Sequence, residues 1–199
     1  MDAVIHWIEN PMGQERATLA QGLRGGDPDV LDDLIEQHQH RLFRYLLSLT
    51  GNRATAEDVF QETWLRVLER GHQYRVQWKF EVWLFSIARH LVIDLARRKK
   101  QDSLDLLMDP DEGTGFEPRA SEPSPFDEMF AGETSERMAT VLKRIPAVYR
   151  EALTLRFQEE LGLDEMATII KVPLSTVKSR LYRGLEALRK EIPGQHLCG

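Results

Sequence analysis

The chain has 199 residues, 42% of them apolar and 29% charged, with a formal charge of −6. One cysteine, Cys198, excludes a disulfide framework and a cysteine-built zinc site. No run approaches the ~18 consecutive apolar residues of a membrane span, so no membrane insertion is expected. Met1 to Asn10 has no basic stretch ahead of an apolar one, so no secretory leader is expected and the cytoplasm is the expected location.

The charge is unevenly placed. Residues 1–100 are balanced, residues 101–132 carry nine acidic side chains against Arg119 alone, and residues 133–199 have a net charge of +2. The middle stretch also holds Pro110, Pro118, Pro123 and Pro125, four of the nine prolines. Such a composition buries too little to offset chain entropy, and it is read as an acidic flexible linker. The organisation follows: a lead (1–26), a first domain (27–100), the linker (101–132), a second domain (133–192) and a short tail (193–199). Both domains read as all-α, because strand alternation and hairpin signals are absent.

In chain order, the lead holds one helix stopped by Gly25-Gly26. Asp27-Pro28 opens a helix that Gly51-Asn52 ends. A second helix covers about Ala54 to Glu69, with Thr55 and Asp58 as a weak capping pair and a buried stripe of Val59, Phe60, Thr63, Trp64, Val67 and Leu68. A polar and aromatic loop occupies 71–79. A third helix runs from about Phe80 to Lys100, with an apolar stripe of Phe80, Trp83, Leu84, Ile87, Ala88, Leu91, Val92 and Leu95. In the second domain, Glu133 to Arg144 and 147–158 read as helices, the latter using Val148, Ala152, Leu153, Leu155 and Phe157. A short helix (163–170), a break at Lys171-Val172-Pro173 and a longer helix from near Ser175 complete a helix-turn-helix pattern.

The longer helix has an inner row of Leu174, Val177, Leu181, Leu185, Leu188 and Ile192. Its outer row of Ser175, Thr176, Lys178, Ser179, Arg180 and Arg183 suits phosphates and base edges. A helix-turn-helix pattern alone is weak, and a solvated amphipathic helix has the same spacing. Arg97-Arg98-Lys99-Lys100 suits a helix C-terminus on dipole grounds alone. Added to Arg89 and His90 upstream, and to Tyr74, Arg75, Trp78 and Lys79 in the loop, it makes a set of cations interleaved with aromatics, as single-stranded nucleic acid requires. Trp83 fits the core better than a stacking role. Asp58, Gln61, Glu62 and Arg66 form a polar face on the second helix, for which spacing alone favours solvation. No nucleophile arrangement, phosphate loop, dinucleotide fingerprint or metal-ligand set is present, so neither an enzyme, a cofactor nor a metal is expected.

Four stretches carry a resemblance: ATAEDVFQETWLRVLE (54–69), KFEVWLFSIARHLVIDLARRKK (79–100), IPAVYREALTLRF (145–157) and LDEMATIIKVPLSTVKSRLYRGLEALR (163–189). Together, and in this order, they resemble the extracytoplasmic-function sigma factors of bacterial RNA polymerase, which keep sigma domains two and four. The resemblance implies that Asp58, Gln61, Glu62 and Arg66 dock on the β′ clamp helices of core polymerase, with further contact to the β subunit. It implies that Tyr74, Arg75, Trp78, Lys79, Arg89, His90, Arg97, Arg98 and Lys99 meet the −10 element, and that the loop captures a flipped base. Ser175, Thr176, Lys178, Ser179, Arg180 and Arg183 match the −35 recognition helix, and the acidic linker matches a segment that threads the polymerase cleft. An anti-sigma factor is a further expected partner. His90 stands where the family usually has Asn, Lys171 where it favours Gly, and Ser175 replaces a Gly. A left-handed Lys171 would cost of order 1 kcal/mol.

Three readings are open at this point: a sigma factor, a two-domain regulator that binds DNA without polymerase, and an interaction module without DNA contact. Co-purification with core polymerase separates the first from the others.

Overall fold

The computed structural model describes residues 11–106 and 144–191, and every regular element among them is helical. Most of the acidic linker, the helix expected from Glu133, and Ile192 lie outside the described residues. Helix α1 (Pro11–Gly25) ends at Gly26, whose φ of 66° is left-handed, as a chain reversal there requires. Helix α2 (Pro28–Thr50) starts on Asp27, whose side chain accepts the Asp29 N–H at 3.1 Å, with proline in the first turn. Left-handed Gly51 ends it, donating its N–H to the Leu47 carbonyl. Helix α3 (Arg53–Arg70) is capped by Asn52, whose side chain accepts the Thr55 N–H at 2.9 Å. The expected capping pair Thr55/Asp58 is thus replaced by a cap three residues before Thr55.

A 3-10 turn (Gly71–Gln73) leads through loop 74–79 into α4 (Phe80–Leu106), six residues longer than its apolar stripe suggested. Gly71 has ordinary helical angles; it is small because α1 sits on it, and a Cβ there would lie 2.6 Å from the Leu23 carbonyl oxygen.

In the second half, α5 (Ala147–Leu153) widens into a π-helical turn (Thr154–Gln158). Helix α6 (Leu163–Ile170) is opened by Glu165, whose carboxylate reaches back to the Gly162 N–H at 2.7 Å. Lys171 then takes left-handed angles (φ 57°, ψ 48°), as the turn demanded, and α7 (Leu174–Glu191) follows. Gly184 lets α7 press onto α5, since a Cβ there would sit 3.0 Å from Leu153 Cγ.

One apolar core runs through both halves. Leu42, Tyr45, Leu84, Phe85 and Ala88 are continuous with Ala152, Leu155, Met166 and Ile169. Helix α2 packs on α5, and α4 packs on α6. This explains two core residues that the α4 stripe omitted: Val82 and Phe85 are buried on a second face of that helix. Four expected core positions lie at the surface instead. Leu68 is exposed because no element among the described residues packs on that side of α3, and Leu185 faces outward on α7. Val148, in the first turn of α5, and Phe157 are also exposed; Phe157 lies in the π-helical turn, whose wider geometry departs from the helical period that placed it in the core.

Candidate nucleic-acid interface

On α3, Asp58 and Gln61 are exposed, and Glu62 and Arg66 are half-buried. Arg66 is tied to Glu62 at 2.9 Å and to Glu69 at 3.0 Å. Leu65 and Leu68, both exposed, continue the row of Asp58 and Gln61 at steps of three and four residues. The face is therefore polar at its start and apolar at its end. The sequence reading missed this because it counted Leu68 as core and did not place Leu65. Between α3 and α4 lies an open groove of about 600 Å³, reached by Asp58, Glu62, Arg66, His90, Asp94 and Arg98.

The loop splits its two aromatics. Tyr74, expected to hold an unstacked base, is 1% exposed. Its ring lies 5.8 Å from that of Phe80 and 5.4 Å from that of Trp83, and its hydroxyl donates to the Trp78 carbonyl at 2.8 Å. Burial pushes its pKa up to about 12. Tyr74 is thus a core residue that braces the loop, and no face of its ring is open to a base. Trp78 is 42% exposed, and Arg75 is exposed beside it. Trp83 is half-buried in the aromatic cluster, as its place in the stripe implied.

The cations of α4 divide between two faces. His90, exposed, contacts Asp94 at 3.2 Å; Arg97 and Arg98 are exposed, with Arg97 3.9 Å from Asp94. Arg89 points the other way, into Glu151 of α5 at 2.7 Å. The Lys99 side chain lies outside the described residues. Lys79 bonds Glu165 of α6 at 2.9 Å. Burial disfavours the ionised form of that carboxylate, but the Gly162 N–H and the Lys79 ammonium outweigh this and hold its pKa below the usual value.

On α7, Ser175, Lys178, Ser179 and Arg183 are exposed, and Thr176 and Arg180 are half-buried. One terminal nitrogen of Arg180 is covered without a hydrogen-bond partner among the described residues. Arg183 reaches the Tyr149 hydroxyl at 3.5 Å. Val177 and Gly184 are buried on the opposite side. The outer row therefore faces solvent at the start of the helix, with Arg180 set back from it.

A further cluster joins the two halves, and no local pattern in the sequence points to it. Glu159, 2% exposed, takes Arg41 at 2.8 Å and Arg44 at 3.3 Å, and its backbone carbonyl accepts a second bond from Arg41 at 2.9 Å. Glu151, 4% exposed, accepts from Arg89 and from the Tyr45 hydroxyl at 3.1 Å. The partners lie up to 118 residues apart, beyond any local pattern.

Residues 34–101 match the family described as Sigma-70 region 2, and residues 135–188 match Sigma-70, region 4. The ECF RNA polymerase sigma factor SigW of Bacillus subtilis is 32% identical over 85% of this chain and 92% of its own length. SigM of the same organism is 31% identical over 80% of this chain and 93% of its own. The RNA polymerase sigma-H factor of Pseudomonas aeruginosa is 29% identical over 87% and 92%. Among solved structures, CnrH in complex with the cytosolic domain of CnrY superposes with a TM-score of 0.61 at 18% identity, covering 87% of this chain and 94% of that one. The sigma factor RpoE of Bartonella quintana, in complex with the anti-sigma factor NepR, gives 0.60 at 20% identity, over 80% and 96%. At such identities the two structures speak for the shared fold. The sequence relatives, aligned through both regions, decide the family: this chain belongs to the ECF sigma factors of RNA polymerase.

Proposed function

We propose that the chain binds core RNA polymerase, recognises −35 and −10 promoter elements, and assists opening of the duplex so that transcription of a particular set of promoters can start. The observation that carries this reading is the α7 surface. Ser175, Lys178, Ser179 and Arg183 face solvent at the start of a helix whose other side is locked on α5 and α6. This is the presentation that major-groove reading needs. The exposed residues of α4 and the loop, His90, Arg97, Arg98, Arg75 and Trp78, are assigned to the −10 element. The α3 row of Asp58, Gln61, Leu65 and Leu68, with Glu62 and Arg66 beside it, is assigned to polymerase. The chain contributes binding and orientation, and the chemistry is the polymerase's. Among the described residues no helix is long and apolar enough to cross a membrane, in keeping with work on cytoplasmic DNA. An anti-sigma partner is part of the proposal, since a similarly folded relative, RpoE, is found with one.

The test is run-off transcription with purified core enzyme across a genomic promoter library. Wild-type protein should initiate at a discrete set of start sites. Asp58→Lys with Glu62→Lys should lose retention on core enzyme at a small cost in stability, ~1 kcal/mol or less, since Asp58 is exposed and the Glu62–Arg66 pair it breaks is a half-exposed helix pair. Unchanged retention would remove α3 from the polymerase interface.

A further inference from the structure

A buried histidine adjoins the ion pairs that join the two halves. His38 of α2 is 7% exposed, and its ring lies tilted, 5.2 Å from that of Phe80, the first residue of α4. Its Nδ1 is covered, with no hydrogen-bond partner among the described residues. A neutral imidazole tolerates this, because its proton can sit on Nε2 and leave Nδ1 as a bare acceptor. A protonated ring does not. It sets a charged N–H at a covered position that offers no acceptor, and an unmet charged donor costs more than an unmet lone pair.

Arg41 stands three residues further on, on the same face of α2. It spans the joint: its guanidinium meets Glu81 of α4 at 3.5 Å, the Glu159 carboxylate at 2.8 Å and the Glu159 carbonyl at 2.9 Å. Arg44 adds a second, longer hold on Glu159 at 3.3 Å. Burial, the largest influence on His38, disfavours its charged form; Glu81 favours that form and Arg41 opposes it, and together they hold the pKa below the ordinary 6.5. Glu159 and the charged groups of α3 and α6 are not among the influences on this ring. Beyond Phe80 the next titratable group is the Tyr74 phenol, with a pKa of about 12 and Arg16 of α1 near it. A proton on His38 therefore acts on the joint through Arg41: it is a like charge beside the guanidinium, and it competes with it for Glu81.

We propose that His38 is a proton sensor for the joint: in acid the ring becomes charged, Arg41 is pushed from its place, Glu159 loses its closest partner, and the two halves part more readily. The joined form resists the proton and the parted form accepts it. Closure is therefore full above pH 6.5 and weakens as the pH falls through that value. None of the promoter contacts assigned above takes part in this device.

The experiment is amide hydrogen exchange on the full chain, with each rate divided by that of an unstructured chain at the same pH, so that only protection is compared. Between pH 7.5 and 5.5, above the ordinary carboxylate range, histidines are the side chains that change charge. Protection at 154–161 should fall about three- to tenfold over this interval. Tenfold is the limit for a ring that stays neutral in the joined form and titrates at 6.5 in the parted one. Amides of α3, which packs within the first half, should keep their protection. His38→Gln and His38→Phe, the second keeping an aromatic ring against Phe80, should each hold protection at 154–161 within twofold. His40→Gln, two residues on and on another face of α2, should respond as wild type does. By reciprocity, Arg41→Gln should raise the pH at which the His38 Cε1 proton titrates in NMR spectra. Equal protection of the wild type at both pH values overturns the proposal, as does an undiminished fall in the His38 variants. An equal fall in α3 would be acid unfolding of the whole chain, and loss of the response in His40→Gln would move the sensor elsewhere; either overturns it, as does a His38 titration unmoved by Arg41→Gln.

Discussion

Trp78→Ala separates the loop's proposed role in strand capture from its part in the fold. The loop is held by backbone and by Tyr74: the Trp78 N–H donates to the Arg75 carbonyl at 3.2 Å, and the Trp78 carbonyl accepts the Tyr74 hydroxyl at 2.8 Å. Alanine keeps both bonds. The indole is 42% exposed. Truncation therefore removes ~100 Å² of apolar burial, an upper estimate of ~2.5 kcal/mol at ~25 cal/mol per Å². Stacking of one base on an aromatic ring is worth ~1–3 kcal/mol by alanine substitution, so the opening equilibrium should fall by about 5- to 150-fold. The assay is stopped-flow fluorescence of a base analogue placed in the −10 element, with reconstituted holoenzyme, well below the variant's melting temperature. Closed-complex affinity, measured on a duplex that does not open, should stay within about twofold. Tyr74→Ala serves as contrast: as a buried aromatic it should cost ~3–5 kcal/mol of stability and fail in every assay together. Opening by Trp78→Ala at the wild-type rate and extent would show that the loop does not capture the base.

Tyr74 also predicts an alkaline limit. Its raised pKa means that the folded chain holds the phenol proton more tightly than the unfolded chain, so stability is full below pH 10 and lost as the pH rises through about 12. Tyr74→Phe should flatten that fall in urea melts taken between pH 10 and 12, at a cost near neutral pH of ~0.5–1.5 kcal/mol for the lost hydrogen bond; an unchanged profile would refute the assignment. Gly71→Ala would push a methyl to 2.6 Å from the Leu23 carbonyl oxygen, so it should destabilise by ~1–3 kcal/mol and raise hydrogen exchange across α1. A neutral or stabilising result would mean that α1 does not rest on the turn. Lys171→Gly relieves left-handed strain of ~1 kcal/mol but adds comparable chain entropy, so its melting temperature should barely move. Lys171→Val, β-branched at φ 57°, should melt lower, and equal melting of the two would refute the strain argument.

Local chemistry in the sequence determined where most helices begin and end. Asp27-Pro28, Gly51 and the Lys171-Val172-Pro173 break act within a few residues of themselves, and the structure places boundaries at each. The helix-turn-helix was legible for the same reason, because its inner and outer rows repeat at the helical period. The family was legible because four motifs stand in order over most of the chain. Periodicity, however, describes one buried face per helix, and it is silent on a second. Only the tertiary structure decided that α4 buries Val82 and Phe85 on a second face, that Tyr74 belongs to the core, and that Leu65 and Leu68 remain outside. Nor could any local pattern pair Arg41 with Glu159 or Arg89 with Glu151. A charged residue in a sequence reads as solvated until the fold brings an opposite charge to it and removes the water, and here that charge lies 118 and 62 residues away.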